Sequence, residues 1–192
     1  MPVKQRLLTP GPTPVPEETL LELAKPVFFH RTPEFRQMLG EVLQDLQTIF
    51  YTKNPILPLT ASGTGALEAA LVNSVPPGKK AICLIAGRFG ERWKNIAKAY
   101  GIEAIVVSVP YGQAVQPAQL EKALADHPDA VAVCSTLSET STGVGHDIAT
   151  FGKIIGKTPA LLIVDAVSGL GALECRTDAW QIDICCTGCR RR

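Results

Sequence analysis

A chain of 192 residues suffices for one domain with a sizeable core, and its 46% hydrophobic and 19% charged content is that of a packed protein rather than a disordered one. Net charge is +1 with acid and base interspersed, so no basic stripe exists to neutralise phosphates, and nucleic acid is not expected as a partner. The opening MPVKQRLLTPGPTPVPEE lacks the apolar run of a secretory leader, and no apolar stretch reaches the roughly 20 residues that span a bilayer, so a cytoplasmic protein without membrane contact is expected.

Leu8 to Pro16 is too rich in proline for regular structure and reads as an extended arm. Glu17 to Lys25 suits a short helix ended by Pro26. The clearest helix follows, with Thr32 as N-cap and Pro33 at its first position. Phe35, Met38, Leu39, Val42, Leu43, Leu46, Ile49 and Phe50 then recur at helical spacing and should form one apolar face. Ile56 to Leu59 reads as an apolar strand that leads through Ala61-Ser62-Gly63-Thr64-Gly65 into a helix over Ala66 to Val72. Further strands are expected over Ala81 to Ile85, Glu103 to Val109, Ala130 to Cys134 and Ala160 to Val164. The helices between and around them should run from about Phe89 to Tyr100, Gln116 to His127 and Asp147 to Gly156. The alternation predicts an α/β domain with a mostly parallel sheet covered on both faces. No internal repeat is visible.

Cys83 and Cys134 lie within apolar runs and read as small core hydrophobes. The Cys186-x-x-Cys189 pair has no second pair and no suitably spaced histidines, so a four-ligand metal site is not expected. His127 and His146 read as surface histidines, and His30 and Arg31 as polar residues ahead of the long helix.

In open α/β sheets ligands bind beyond the carboxyl ends of the strands, and that is where the chemically suggestive residues fall. Ser62-Gly63-Thr64-Gly65 opens a helix with small residues and free N–H groups, suited to a phosphate, although a tight turn needs glycine for geometry alone. Phe89, between Gly87 and Gly90 after a strand, could stack on a planar ligand or serve as a core residue at a helix start. The hydroxyls of Glu139-Thr140-Ser141-Thr142-Gly143 could bind a ligand or cap a turn. Asp165 ends the aliphatic run Leu161-Leu162-Ile163-Val164, where a carboxylate is costly unless it meets a cation or strong donors.

Taken in order, Thr9-Pro10-Gly11-Pro12, His30-Arg31-Thr32-Pro33-Glu34-Phe35, the Ser62–Gly65 turn, Phe89-Gly90-Glu91-Arg92, Glu139-Thr140-Ser141-Thr142-Gly143 and Val164-Asp165-Ala166-Val167-Ser168 resemble the class V aminotransferases. The resemblance is to the alanine–glyoxylate and serine–glyoxylate or serine–pyruvate branch. Cyanobacterial proteins described as the small subunit of soluble hydrogenase resemble the same branch. It implies the large domain of a fold-type I enzyme dependent on pyridoxal 5'-phosphate, with residues 1–30 an N-terminal arm and short helix. Residues 31–192 would then be part of the cofactor-binding large domain, ahead of a small C-terminal domain. By resemblance, Ser62, Gly63 and Thr64 would hold the cofactor phosphate, with Phe89 and Val167 on opposite faces of the pyridine ring. Thr140 would lie near the phenolic oxygen, and Asp165 would pair with the protonated ring nitrogen.

The implied activity is transfer of an amino group from an amino acid to glyoxylate or pyruvate, in a protein that is a homodimer in full-length relatives. One departure bears on it. The family pattern continues after Ile182-Asp183 through a strand to Ser-Gln-Lys, whose lysine carries the cofactor as a Schiff base. This chain instead reads Thr187-Gly188-Cys189-Arg190-Arg191-Arg192, with Arg191 at the lysine's place, and arginine cannot serve as that amine. With an assumed codon set TGT CGC AGA AGG for Cys-Arg-Arg-Arg, a shifted frame reads TCG CAG AAG, or Ser-Gln-Lys. A truncated or frameshifted, catalytically incomplete aminotransferase is therefore the expectation. A non-catalytic, partner-binding subunit, for example one associated with a hydrogenase, is the alternative.

Overall fold

Aliphatic and β-branched runs bounded by turns form strands when both of their faces can be covered, and amphipathic stretches between them supply the cover. The computed structural model describes residues 8–9, 11 and 13–188. Along these the elements are α1 (Glu17–Leu23), α2 (Pro33–Phe50), α3 (Gly63–Ser74), β1 (Lys80–Ile85), α4 (Glu91–Ala99), β2 (Glu103–Ser108) and α5 (Pro117–Asp126). There follow β3 (Ala130–Thr136), β4 (Ser138–Glu139), β5 (Val144–Gly145), α6 (Ile148–Ile155), β6 (Leu161–Asp165) and β7 (Ile184–Cys186). The strand that the resemblance implies after Ile182-Asp183 is β7. Pro10, Pro12, Cys189 and Arg191 lie outside the described residues.

Five strands form one parallel sheet in the order β2-β1-β3-β6-β7, and β4 pairs antiparallel with β5 as a short ribbon. Strand order reverses at β1. The chain steps outward to β2 and then returns past β1 to β3, which opens a crevice between the carboxyl ends of β1 and β3. Alternate residues of β1 serve the two faces of the sheet. Ala81, Cys83 and Ile85 join Leu67 and Leu71 of α3 and Trp93 and Ile96 of α4 in one core. Ile82 and Leu84 join Leu120 and Leu124 of α5 and Ile148, Phe151 and Ile155 of α6 in the other. Cys83 and Cys134 are fully buried in the first core, as small hydrophobes.

Local chemistry sets the helix starts. Thr32 Oγ1 accepts from Phe35 N–H at 3.2 Å, with Pro33 at the first helical position. Asp147 Oδ1 accepts from Thr150 N–H at 3.0 Å and caps α6.

Three expectations are corrected. Ile56 to Leu59 is not a strand, because Pro55 just before it and Pro58 within it lack ladder donors, and Leu57 and Leu59 are exposed. The helical stripe of α2 does not face the described core: Phe50 is its one buried residue, while Met38, Leu39, Val42 and Ile49 stand exposed. His146 is not at the surface but buried, with 6% of its area exposed. The chain just after α2 is nonetheless tied to the loop between β6 and β7, since Asp178 accepts from Thr52 Oγ1 at 2.5 Å and from Lys53 N–H at 2.9 Å. Among the described residues no helix is long and apolar enough to cross a membrane.

Candidate functional site

The first wall of the crevice is the start of α3. Ser62 Oγ accepts from Gly65 N–H at 3.4 Å, while the N–H groups of Gly63 and Thr64, in the first turn, have no acceptor within the helix. The turn is tightly hemmed. A Cβ at Gly63 would lie 3.0 Å from Val167 Cγ2, and one at Gly65 would lie 2.7 Å from Ala61 Cβ. Beyond β7 the chain passes the same turn, so that a Cβ at Gly188 would lie 3.3 Å from Gly63 Cα. Backbone donors at a helix N-terminus, brought close by glycine, suit an anion.

The second wall is the tip of β6. Asp165 is buried, with 6% of its area exposed, and its Oδ1 accepts from Val167 N–H at 2.9 Å. Its register partner on β7 is Cys186, whose thiol donates to Ala66 O at 3.7 Å. Burial, reinforced by the charge of Asp165, pushes that thiol up to about 12. Cys186 therefore stays protonated and packs as an inert hydrophobe. Ser168, just beyond Val167, shares a hydrogen bond with Thr140 Oγ1 at 2.5 Å, which links the tip of β6 to the loop after β3.

The third wall spans the strand-order reversal. Glu139, at the end of β4, is fully buried, and its carboxylate gathers donors from both sides of the crevice. Phe89 N–H lies 3.2 and 3.1 Å from its two oxygens, Gly90 N–H donates at 2.8 Å, and Ser141 donates through N–H at 3.1 Å and O–H at 2.6 Å. Ser141 Oγ accepts in turn from Arg88 N–H at 3.0 Å. Phe89 is half-buried, and the Arg92 guanidinium stands 4.7 Å above its ring.

Of the residues picked out from the sequence, Gly63, Asp165 and Val167 come together directly, and Thr140 joins them through Ser168. Ser62 and Thr64 flank Gly63 on the same turn. Phe89 is held through its N–H by the carboxylate of Glu139, the residue next to Thr140. Sequence reasoning named Glu139 only within a hydroxyl-rich loop, and the cue it passed over was an acid placed soon after a buried strand. Among the described residues no group of three or more His, Cys, Asp or Glu side chains could hold a metal ion.

The family model of aminotransferase class-V matches residues 27–190. An uncharacterized aminotransferase of Methanocaldococcus jannaschii is 39% identical over 189 residues, covering 98% of this chain and 49% of that protein. The soluble hydrogenase 42 kDa subunit of Anabaena cylindrica is 41% identical over 191 residues, covering 98% of this chain and 50% of that one. Among solved structures, alanine–glyoxylate aminotransferase from Nostoc sp. superposes with a TM-score of 0.91 at 30% identity, covering 97% of this chain and 50% of that one. The chain thus spans about half the length of the relatives it matches, and its fold is that of an incomplete large domain of fold-type I pyridoxal-phosphate aminotransferases. The matched span takes in all three walls of the crevice, from the start of α3 to the end of β7, and the chain belongs to the class-V aminotransferase family.

Proposed function

We propose that the crevice binds pyridoxal 5'-phosphate and serves transfer of an amino group from an amino acid to glyoxylate or pyruvate. The observation that carries this reading is Asp165: a buried carboxylate at the tip of a central strand, beside a glycine-hemmed helix start. The donor set fits the cofactor at both ends. Gly63 and Thr64 N–H groups, with the Ser62 and Thr64 hydroxyls, would take the phosphate. Val167, held against Gly63, would cover one face of the ring and Phe89 the other. Thr140 would meet the phenolic oxygen, and Asp165 would hold a proton on the ring nitrogen. When bound, the cofactor supplies an electron sink for the charge left at the substrate α-carbon when its proton departs. The acceptor class is supported by the glyoxylate-using relative of known structure.

Titration of pyridoxal phosphate into the wild-type chain and Asp165→Ala, followed by absorbance, tests the assignment. Loss of a charge-assisted hydrogen bond worth roughly 1.5–3 kcal/mol should weaken binding by about ten- to hundredfold. Equal affinities would remove Asp165 from the site. Because Arg191 stands where the resemblance places the reactive lysine, this chain should bind without turnover. Steady amino transfer by the purified chain would contradict that expectation.

The name of the Anabaena relative favours a second reading, a subunit that binds a protein partner without catalysis. A chain that co-purifies stoichiometrically with hydrogenase components and ignores pyridoxal phosphate would support it over the first.

A further inference from the structure

The Glu139 carboxylate has no part in the cofactor contacts proposed above, yet it is fully buried and both of its oxygens are held by hydrogen bonds. All four of its donors are neutral, and two of them, Phe89 N–H and Gly90 N–H, stand at the start of α4. Gly90, the N-cap of α4, offers no side chain, so the helix is capped from across the crevice by an acid some fifty positions away in sequence. The fit is close. A Cβ at Gly87 would lie 2.7 Å from both Glu139 Cγ and Cδ, so the turn can lie over the carboxylate only with glycine there.

We infer that Glu139 is a positioning residue. Its carboxylate fixes the Gly87–Gly90 turn after β1 onto the loop after β3, and thereby fixes the ring of Phe89 at the mouth of the crevice. The step from turn to ligand rests on the proposed cofactor site; the hold on the turn does not. A carboxylate is specifically required, because both oxygens receive donors. One faces Phe89, Ser141 N–H and the Ser141 hydroxyl, and the other faces Phe89 and Gly90. The amide of glutamine, in either orientation, sets an NH2 group against a backbone N–H.

Amide hydrogen exchange on the ligand-free chain tests the hold. In Glu139→Gln the Phe89 and Gly90 amides should exchange at least about tenfold faster than in wild type, with Leu84 and Val133 in the sheet unchanged. Ser141→Ala, which keeps the carboxylate and loses one donor, should shift the same two amides less and in the same direction. It serves if the first variant does not fold. Unchanged exchange at Phe89 and Gly90 would overturn the inference. Binding is read separately, through the circular dichroism induced in bound pyridoxal phosphate. Glu139→Gln should weaken affinity by about tenfold and diminish that signal, and adding Phe89→Leu should then cost less than it does in wild type. Fully additive losses would overturn the link to Phe89. A wild-type chain that binds no pyridoxal phosphate would remove the proposed function and leave Glu139 to be judged by exchange alone.

Discussion

A single imidazole shows how burial turns an ordinary residue into a pH-dependent one. His146 Nδ1 lies 2.8 Å from the carbonyl oxygen of Thr136, and its Nε2 has no partner among the described residues. Burial pushes its pKa below the usual histidine value, against a smaller upward pull from the Thr136 contact and the charge of Glu139. The folded chain therefore refuses a proton that the unfolded chain accepts. This contribution to stability is complete above about pH 6.5 and is lost as the pH falls through the lowered folded value. The urea midpoint should drop between about pH 7.5 and 5.5, and the drop should be smaller in His146→Gln. An unchanged pH profile in that variant would assign the acid sensitivity to other groups.

Between elements, two glycines in helices make opposite predictions. In α6 a Cβ at Gly152 would stand 1.8 Å from the carbonyl oxygen of Trp180, so backbone rather than a flexible side chain blocks it. Gly152→Ala should cost about 1–3 kcal/mol in chemical denaturation, through displacement of α6 from the loop before β7. Gly40 in α2 has nothing within 4 Å, and Gly40→Ala should stabilise that helix by roughly 0.5–1 kcal/mol, seen as slower amide exchange in α2. This contrast also explains what could be read in advance. Thr32-Pro33 and the aliphatic run ending in Asp165 are local signals, legible because their physics spans a few residues. Ile56 to Leu59 misled because hydropathy was weighed ahead of Pro55 and Pro58. Glu139 offered only its place soon after a buried strand and His146 no local cue, since what defines both is enclosure by segments distant in sequence. The hydrogen bond from Phe89 to Glu139 bridges 50 positions, and no window along the chain contains it.

Across the whole molecule the described core and the exposed apolar surface are unevenly divided. The sheet and its four covering helices enclose the two cores, whereas Phe28, Phe29, Met38, Leu39, Val42 and Ile49 display apolar area around α2. Val42→Lys should leave the denaturation free energy within about 0.5 kcal/mol while reducing light scattering by concentrated protein. A large loss of stability would place α2 inside the cooperative core. The α3 turn carries a different consequence, one of timing. Its backing comes from β7 and the residue pair beyond it, and the Cys186–Ala66 contact bridges 120 positions. A ribosome synthesising this chain would thus release the helix start long before the strand that supports it, and contacts so remote are slow to form. Until β7 emerges and docks beside β6, Leu67 and Leu71 have only part of their cover, and the nascent chain is open to capture by chaperones. The α3 turn, written early in the message, becomes a finished surface only after β7 has docked.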